Sequence, residues 1–198
     1  EVVAPQYDDL RLLDSLRFAV RVEEGWTVID LDGEYLLRRP YDRVKLLGEG
    51  HLGIQDQRRW GIVEIEGGKI LGPAVDESVT YLEGGYFLVE QDERQGLLDL
   101  GGQLIVPIEA DAIKVYRDDF FLFQQNQRWG ARNRAGALLL EPLYQNLQAL
   151  GQNFIKLYAK SRVSLFSLSA GRIINDRAYD DFYSFNPAYV LCKKERLL

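Results

Sequence analysis

The chain has 198 residues, with 24 basic and 30 acidic side chains and a formal charge of −6. This length suits one or two domains with a self-supporting core, and the acidic balance excludes the basic surface of a typical nucleic-acid-binding protein. One Cys excludes an intramolecular disulfide, a single His beside it leaves too few ligands for a usual zinc site, and no apolar run is long enough to span a membrane.

The sequence contains no Met, so its first residue is not the product of a start codon. Two origins fit this start. The chain is either the mature product of a cleaved secretory signal or an excerpt from a longer protein.

Internal repetition runs through the whole chain. The motif Tyr-Asp-x-apolar at residues 41–44 recurs in related form, and its copies begin at residues 7, 41, 76, 110, 144 and 179, which are 34 or 35 residues apart. Trp60-Gly61 recurs at the same spacing as Gln95-Gly96 and Trp129-Gly130, with degenerate copies at Trp26-Thr27 and Val163-Ser164. A glycine turn follows each copy, and the two longer repeats carry their extra residue there, as expected for a loop.

These markers predict one repeat domain over residues 1–198. Its repeats cover residues 7–40, 41–75, 76–109, 110–143 and 144–178, with half-repeats at 1–6 and 179–198.

Each repeat predicts three to four short strands. After a short extended Tyr-Asp segment, apolar residues alternate, as at Phe18, Val20 and Val22, which is typical of a strand with one buried face. Residues 60–65 and their equivalents predict the next strand, the glycine turn a tight hairpin, and residues 69–71 or 103–106 the following strand. No segment has the pattern of an amphipathic helix, so the predicted class is all-β. We expect the last of these strands to end at proline, because proline cannot donate to a strand ladder; the prolines are Pro40, Pro73, Pro107 and Pro142.

The two half-repeats are complementary, since residues 1–5 resemble the last strand of a repeat and residues 179–198 resemble its first half. This pattern predicts a propeller-like ring of about six blades, in which both ends of the chain share one sheet. An open β-solenoid array is the alternative, because the Trp-Gly strand is missing from the composite sixth repeat.

The combination of Arg59-Trp60-Gly61-Ile62-Val63-Glu64 with Gly67-Gly68-Lys69-Ile70, and of Arg128-Trp129-Gly130 with Gly136, resembles the bacterial WG repeat. The resemblance covers the whole chain in five to six copies and is weakest in the first and fifth. It implies a non-catalytic binding or scaffolding module, often exported or attached to the envelope of a bacterium, and it carries over no catalytic residue or cofactor.

The reactive side chains fit structural roles better than catalytic ones. Paired acids occur at Asp8-Asp9, Asp118-Asp119 and Asp180-Asp181, but none lies in a calcium-type loop, and the Asp after Tyr is expected to bond nearby backbone. His51 has no repeat counterpart, and Cys192 lies on an apolar strand, where we expect a small buried side chain. We therefore predict neither an enzyme nor a bound cofactor or metal.

Two sets of residues are candidates for binding. Arginines precede the Trp-Gly position and could form an anion-binding row or stack on a neighbouring Trp; they are Arg59, Arg94, Arg128 and Arg162. Aromatic residues crowd three variable loop tips, as suits a protein interface; they are Tyr81, Tyr86, Tyr116, Phe120, Tyr183 and Phe185. We assign Trp26, Trp60 and Trp129 to packing between repeats.

The leading functional hypothesis is therefore a non-catalytic protein-interaction or scaffolding module, as a subunit of or adaptor for a bacterial envelope complex. The alternative is a glycan or cell-wall binding protein. We expect a protein partner and an extracytoplasmic location, and neither nucleic acid nor a membrane span.

Overall fold

The computed structural model describes residues 7–116, 120–160, 162–175, 179–186 and 189–194, without the side chains of residues 184–186. In these ranges the chain forms β-strands and no helix, which confirms the predicted all-β class. They therefore hold no helix long and apolar enough to cross a membrane.

The strands of the described residues form six small antiparallel sheets, each built from strands in chain order. The first two sheets are β1 (Asp9–Leu12), β2 (Arg17–Val22) and β3 (Gly25–Asp30), followed by β4 (Arg43–Gly48), β5 (His51–Asp56), β6 (Arg59–Glu64) and β7 (Lys69–Val75). The third and fourth are β8 (Ser78–Leu82), β9 (Tyr86–Gln91), β10 (Arg94–Asp99) and β11 (Leu104–Ala110), then β12 (Ala112–Val115), β13 (Phe120–Gln125), β14 (Arg128–Asn133) and β15 (Leu138–Tyr144). The fifth and sixth are β16 (Asn146–Leu150), β17 (Phe154–Ala159), β18 (Arg162–Ser167) and β19 (Arg172–Ile173), then β20 (Asp181–Asn186) and β21 (Tyr189–Lys193).

The sheets divide between two compact units, Glu1–Glu109 and Ala110–Leu198, and the boundary coincides with the start of the fourth repeat. Within each unit the core lies between neighbouring sheets. Ile62, Val75 and Leu98 belong to a cluster shared by the second and third sheets, and Ile155 and Phe166 to one shared by the fourth and fifth.

One backbone hydrogen bond recurs in all six copies and shows that they are in register. In each copy, the residue after the Tyr position donates its amide to a carbonyl at the end of the second strand, which lengthens the ladder by one bond. The pairs are Asp8–Arg21, Asp42–Gln55, Glu77–Glu90, Asp111–Gln124, Gln145–Tyr158 and Asp180–Lys193.

The hairpin tips between the second and third strands place non-glycine residues at positive φ. Gln57 and Arg58 have φ angles of 50° and 69°, and Asp92 and Glu93 of 52° and 60°, as in the type I′ turns that suit two-residue hairpins. A side chain from the residue after the Tyr position bonds a tip amide in four copies, which satisfies a backbone donor there. The donors and acceptors are Gln57–Asp42, Glu93–Glu77, Gln127–Asp111 and Lys160–Gln145.

Removing one of these tip bonds is expected to destabilise the first unit. In Asp42→Ala the Gln57 amide loses its acceptor at 2.8 Å, so we expect the free energy of unfolding to fall by about 1 kcal/mol. Asp42→Asn keeps an acceptor oxygen and should lose less than half of that. Urea unfolding of both variants checks this, and equal losses would assign the effect to the charge rather than to the bond.

The prediction that proline ends a strand is wrong. Pro73 lies inside β7 and Pro142 inside β15, at register shifts: Trp60 pairs with Val75 while Ile62 already pairs with Leu71. The extra residues form a bulge, where a missing backbone donor breaks no ladder bond. Pro107 likewise lies inside β11, whereas Pro40 precedes the isolated bridge between Trp26 and Tyr41.

The second strand of a sheet can be buried on both faces, whereas the alternation of apolar residues predicted a single buried face. Residues 51–54 of β5 are all buried, and so are residues 120–123 of β13. Side chains on both faces of each of these strands therefore belong to the core.

Candidate functional site

A cationic side chain lies over each of the three Trp rings, and these three pairs were not predicted from the sequence. The charged groups of Arg11, Lys45 and Lys114 lie 4.1, 4.4 and 4.8 Å from the ring centroids of Trp26, Trp60 and Trp129. The cation comes from the first strand of the sheet and the indole from its third strand, and such pairs attract electrostatically.

The repeat pattern contains a signal for these pairs. In the third and fifth copies the Trp position holds Gln95 or Val163, and the cation position holds Thr80 or Gln148. The cation is therefore present in the copies that carry the indole and absent from these two. Burial lowers the pKa of Lys45, whose ammonium also donates to the carbonyl of Val79 at 2.6 Å.

The arginines before Trp-Gly open the third strands, and the cations that lie over the three indoles come from the first strands instead. Arg59 instead donates to the carbonyl of Ala74 at 2.6 Å, and its Nε lies 3.0 Å from Asp76. Arg94 and Arg162 are exposed and Arg128 is half-buried. The first unit holds Arg59 and Arg94, and the second unit holds the other two.

The predicted aromatic residues divide between core and surface. Tyr86 is 2% exposed and Phe120 is 5% exposed, so both rings are packed in the core. Tyr81 and Tyr116 are half-buried, and Tyr183 is 48% exposed. Phe185 lies in β20, but its side chain is outside the described residues.

Tyr81 packs against Gly48, the last residue of β4 in the preceding sheet. An added Cβ at Gly48 would lie 2.9 Å from its ring, so this close approach requires glycine. Burial raises the pKa of Tyr81, and the nearby carboxylate of Glu49 raises it further.

An apolar groove lies beside β21 in the second unit, and we call it the β21 groove. Its volume is about 270 Å³, and its lining comes from the last two sheets and the residues between them. The lining residues are Phe154, Leu165, Ile174, Asn175, Tyr179, Phe182, Tyr189, Val190 and Cys192. Cys192 is exposed, so the expectation of a small buried side chain is wrong.

A second cavity lies between the first and second sheets in the first unit, and we call it the Trp cavity. Its volume is about 420 Å³. Two indoles, three charged side chains and three small or aliphatic residues line it: Trp26, Trp60, Arg11, Asp42, Arg43, Leu13, Ala19 and Val44. Both indoles were predicted to pack between repeats, so this cavity was not predicted from the sequence.

The remaining reactive residues lie in structural positions. His51 is buried, its ring centroid lies 5.0 Å from that of Phe87 in a T-shaped arrangement, and its Nδ1 is 3.3 Å from the carbonyl oxygen of Gly48. Asp9 pairs with Arg11 and Asp181 with Lys156, whereas Asp118-Asp119 lie outside the described residues. Among the residues that the structure describes, no group of three His, Cys, Asp or Glu side chains could hold a metal ion.

Residues 96–129 match the family model described as "WG containing repeat". The chain contains a WG repeat. The match begins at Gly96 in the third repeat and ends at Trp129 in the fourth, the residue whose ring lies under the ammonium of Lys114. A comparison with curated proteins found no match.

Solved structures with distant likeness to the chain come from several organisms. Hsv2 from Kluyvelomyces marxianus is 9% identical with a TM-score of 0.35, over 82% of this chain and 58% of that protein. Apo AztD from Citrobacter koseri is 15% identical with a TM-score of 0.38, over 88% and 59%. PorZ from Porphyromonas gingivalis, described as a surface component of the type-IX secretion system, is 9% identical with a TM-score of 0.32, over 96% and 32%. The chain thus spans less than two thirds of each of these three proteins.

Proposed function

We propose that the chain is a non-catalytic protein-interaction or scaffolding module, acting as a subunit of or adaptor for a bacterial envelope complex. The WG repeat at residues 96–129 and the antiparallel repeat architecture support an interaction role. The β21 groove is the observation that carries the proposal. We assign the module an extracytoplasmic place, periplasmic or envelope-associated.

The β21 groove is lined by residues of the fifth and sixth sheets and of the segment between them, all in the second unit. Among the described residues, β21 pairs with β20. A groove whose lining is mostly aliphatic and aromatic suits an apolar segment of a partner protein.

The side chains around this groove favour an apolar partner. Tyr189 and Leu191 project large exposed apolar surfaces from β21, and Ile174 is partly exposed at the groove. Tyr183 adds an exposed ring on β20, with the ammonium of Lys156 5.3 Å from its centroid. Exposed aromatic and aliphatic side chains beside a groove are typical of the central part of a protein interface.

A site-specific crosslink tests this assignment, because Cys192 is the only Cys in the chain and is exposed at the groove. A benzophenone maleimide attached to Cys192 is expected to capture one discrete protein from a bacterial envelope fraction, identified by mass spectrometry. Leu191→Lys is expected to reduce that yield about tenfold, since burying a charge against an apolar partner segment is costly.

Leu143→Lys is the matched control, because Leu143 is 66% exposed and Leu191 is 56% exposed, and both lie on strands of the second unit. The control should leave the crosslink yield unchanged. Equal yields from Leu191→Lys and the unsubstituted chain would count against the β21 groove as the interface.

The arrangement of the six sheets is a further part of this proposal. The repeat pattern supports a propeller-like ring of about six blades, with an open β-solenoid array as the alternative. Small-angle X-ray scattering distinguishes the two, because a ring gives a compact particle and an open array an elongated one.

A second candidate function, glycan binding, is favoured by the Trp cavity. Its two indoles and its arginines suit a sugar ring that carries a negative charge.

A further inference from the structure

The Trp cavity exists because one repeat lacks a contact that the next repeat makes. Between the second and third sheets, Lys45 extends past Gly53 and donates to the carbonyl of Val79 at 2.6 Å. An added Cβ at Gly53 would lie 3.0 Å from two carbons of Lys45, so the lysine stem occupies that space. The side chain of one sheet thereby closes the gap to the next sheet.

Between the first and second sheets the equivalent residues are Arg11, Ala19 and Val44. Arg11 lies over the Trp26 ring and its guanidinium is 3.3 Å from Asp9, on its own strand. It therefore leaves the gap open, and the open volume is about 420 Å³. A volume of this size accommodates a ligand of one or two sugar rings.

The charges at the cavity favour an anion. Arg11 and Arg43 contribute two guanidinium groups; that of Arg11 pairs with Asp9, so Arg43 is the lining cation that we assign to the anion. Asp42 is the one acidic lining residue, and its Oδ2 already accepts the Gln57 amide at 2.8 Å. Guanidinium groups bind carboxylates through paired hydrogen bonds, which a neutral sugar cannot accept in the same way.

The indoles favour a ring-shaped ligand with an apolar face. Trp26 and Trp60 both line the cavity, one on each of its two sheets. We propose that the Trp cavity binds a carboxylated sugar, a uronic acid unit of an acidic polysaccharide, with its ring against the indoles and its carboxylate on Arg43. The proposal deepens the glycan-binding candidate, and because the site lies in the first unit it does not rest on the β21 groove.

Isothermal titration of the full chain with trigalacturonate tests the proposal, with cellotriose as the neutral probe of similar size. We expect saturable binding of trigalacturonate, quenching of Trp fluorescence, and weakening as salt is raised, with cellotriose at least about tenfold weaker. Equal binding of the two probes, or no binding of trigalacturonate, would overturn the proposal.

Two variants locate the site. Arg43→Gln removes an exposed charge and should weaken trigalacturonate binding about tenfold without changing the thermal unfolding midpoint. Ala19→Leu fills the cavity and should abolish binding. Unchanged binding by Arg43→Gln would contradict the assignment whether or not Ala19→Leu folds.

Two controls separate this site from others. Lys69→Gln removes an exposed positive charge at the start of β7, outside the cavity lining, and should bind as the unsubstituted chain does. Leu191→Lys, which tests the β21 groove, should also leave trigalacturonate binding unchanged. If Lys69→Gln weakens binding as much as Arg43→Gln, the ligand responds to general charge and the specific site is refuted.

Discussion

Gly130→Ala is expected to lower the free energy of unfolding by about 2–3 kcal/mol, because Gly130 lies where no Cβ fits. An added Cβ would lie 2.7 Å from the carbonyl oxygen of Leu140 and 2.8 Å from the Phe123 ring. The Leu140 carbonyl belongs to the backbone of β15, which pairs with β14 and cannot move without disturbing the sheet. Urea unfolding of the variant measures the loss.

Gly61→Ala is the matched control from another copy of the same motif. Its added Cβ would meet only Ile54, at 3.6 Å, which is an ordinary van der Waals contact. We expect a change within about 0.5 kcal/mol, since alanine also restricts the unfolded chain. Losses of equal size in the two variants would show that the crowding at Leu140 is not the cause.

Asp181→Asn is the second substitution with a large expected effect, about 2 kcal/mol at pH 7. Asp181 Oδ1 lies 2.7 Å from Lys156 Nζ and joins the sixth sheet to the fifth. The side chain of Lys156 is only 9% exposed, whereas that of Asp181 is 30% exposed, so asparagine leaves a buried ammonium without its counter-charge. The partial exposure of Asp181 keeps the loss below that of a fully buried pair.

The effect of Asp181→Asn should depend on pH. The hydrogen bond from Lys156 lowers the pKa of Asp181, helped by the Phe182 amide. A carboxyl with a lowered folded-state pKa stabilises the fold above its unfolded pKa of about 3.9, and that contribution is lost as pH falls through the folded value. Thermal unfolding should therefore show a variant deficit that is full at pH 6 and shrinks below about pH 4.

Asp9→Asn is the control for this pH dependence. Its partner Arg11 is exposed and lies 3.3 Å away, so we expect a loss of less than about 0.5 kcal/mol. A deficit in Asp181→Asn that stays constant down to pH 3 would mean that its carboxylate charge contributes nothing.

The repeat and its strands could be predicted from the sequence because each copy encodes them locally. The spacing of the Tyr-Asp and Trp-Gly markers fixed the register, and the hydrogen bonds from Asp42 and Asp180 to their second strands bear it out. The bulges at Pro73 and Pro142 could not be predicted, because a proline at a strand end and one in a bulge give the same local pattern.

The binding residues were harder to predict because they depend on what packs against each strand. Tyr86 and Phe120 belong to the core, although neighbouring polar loops suggested a surface. The Trp cavity depends on Arg11 remaining on its own strand while Lys45 crosses to the next sheet, a difference between two basic residues at one repeat position. Comparison of the copies position by position would have revealed the cation–Trp pairs.

Hydrogen–deuterium exchange of the chain, alone and with the protein captured at Cys192, tests the interaction role most directly. Docking of the partner at the β21 groove predicts that the amides of β21, residues 189–193, become more protected in the complex while those of β15 do not change. Protection that leaves β21 unaffected would contradict the assignment of the β21 groove as the binding surface.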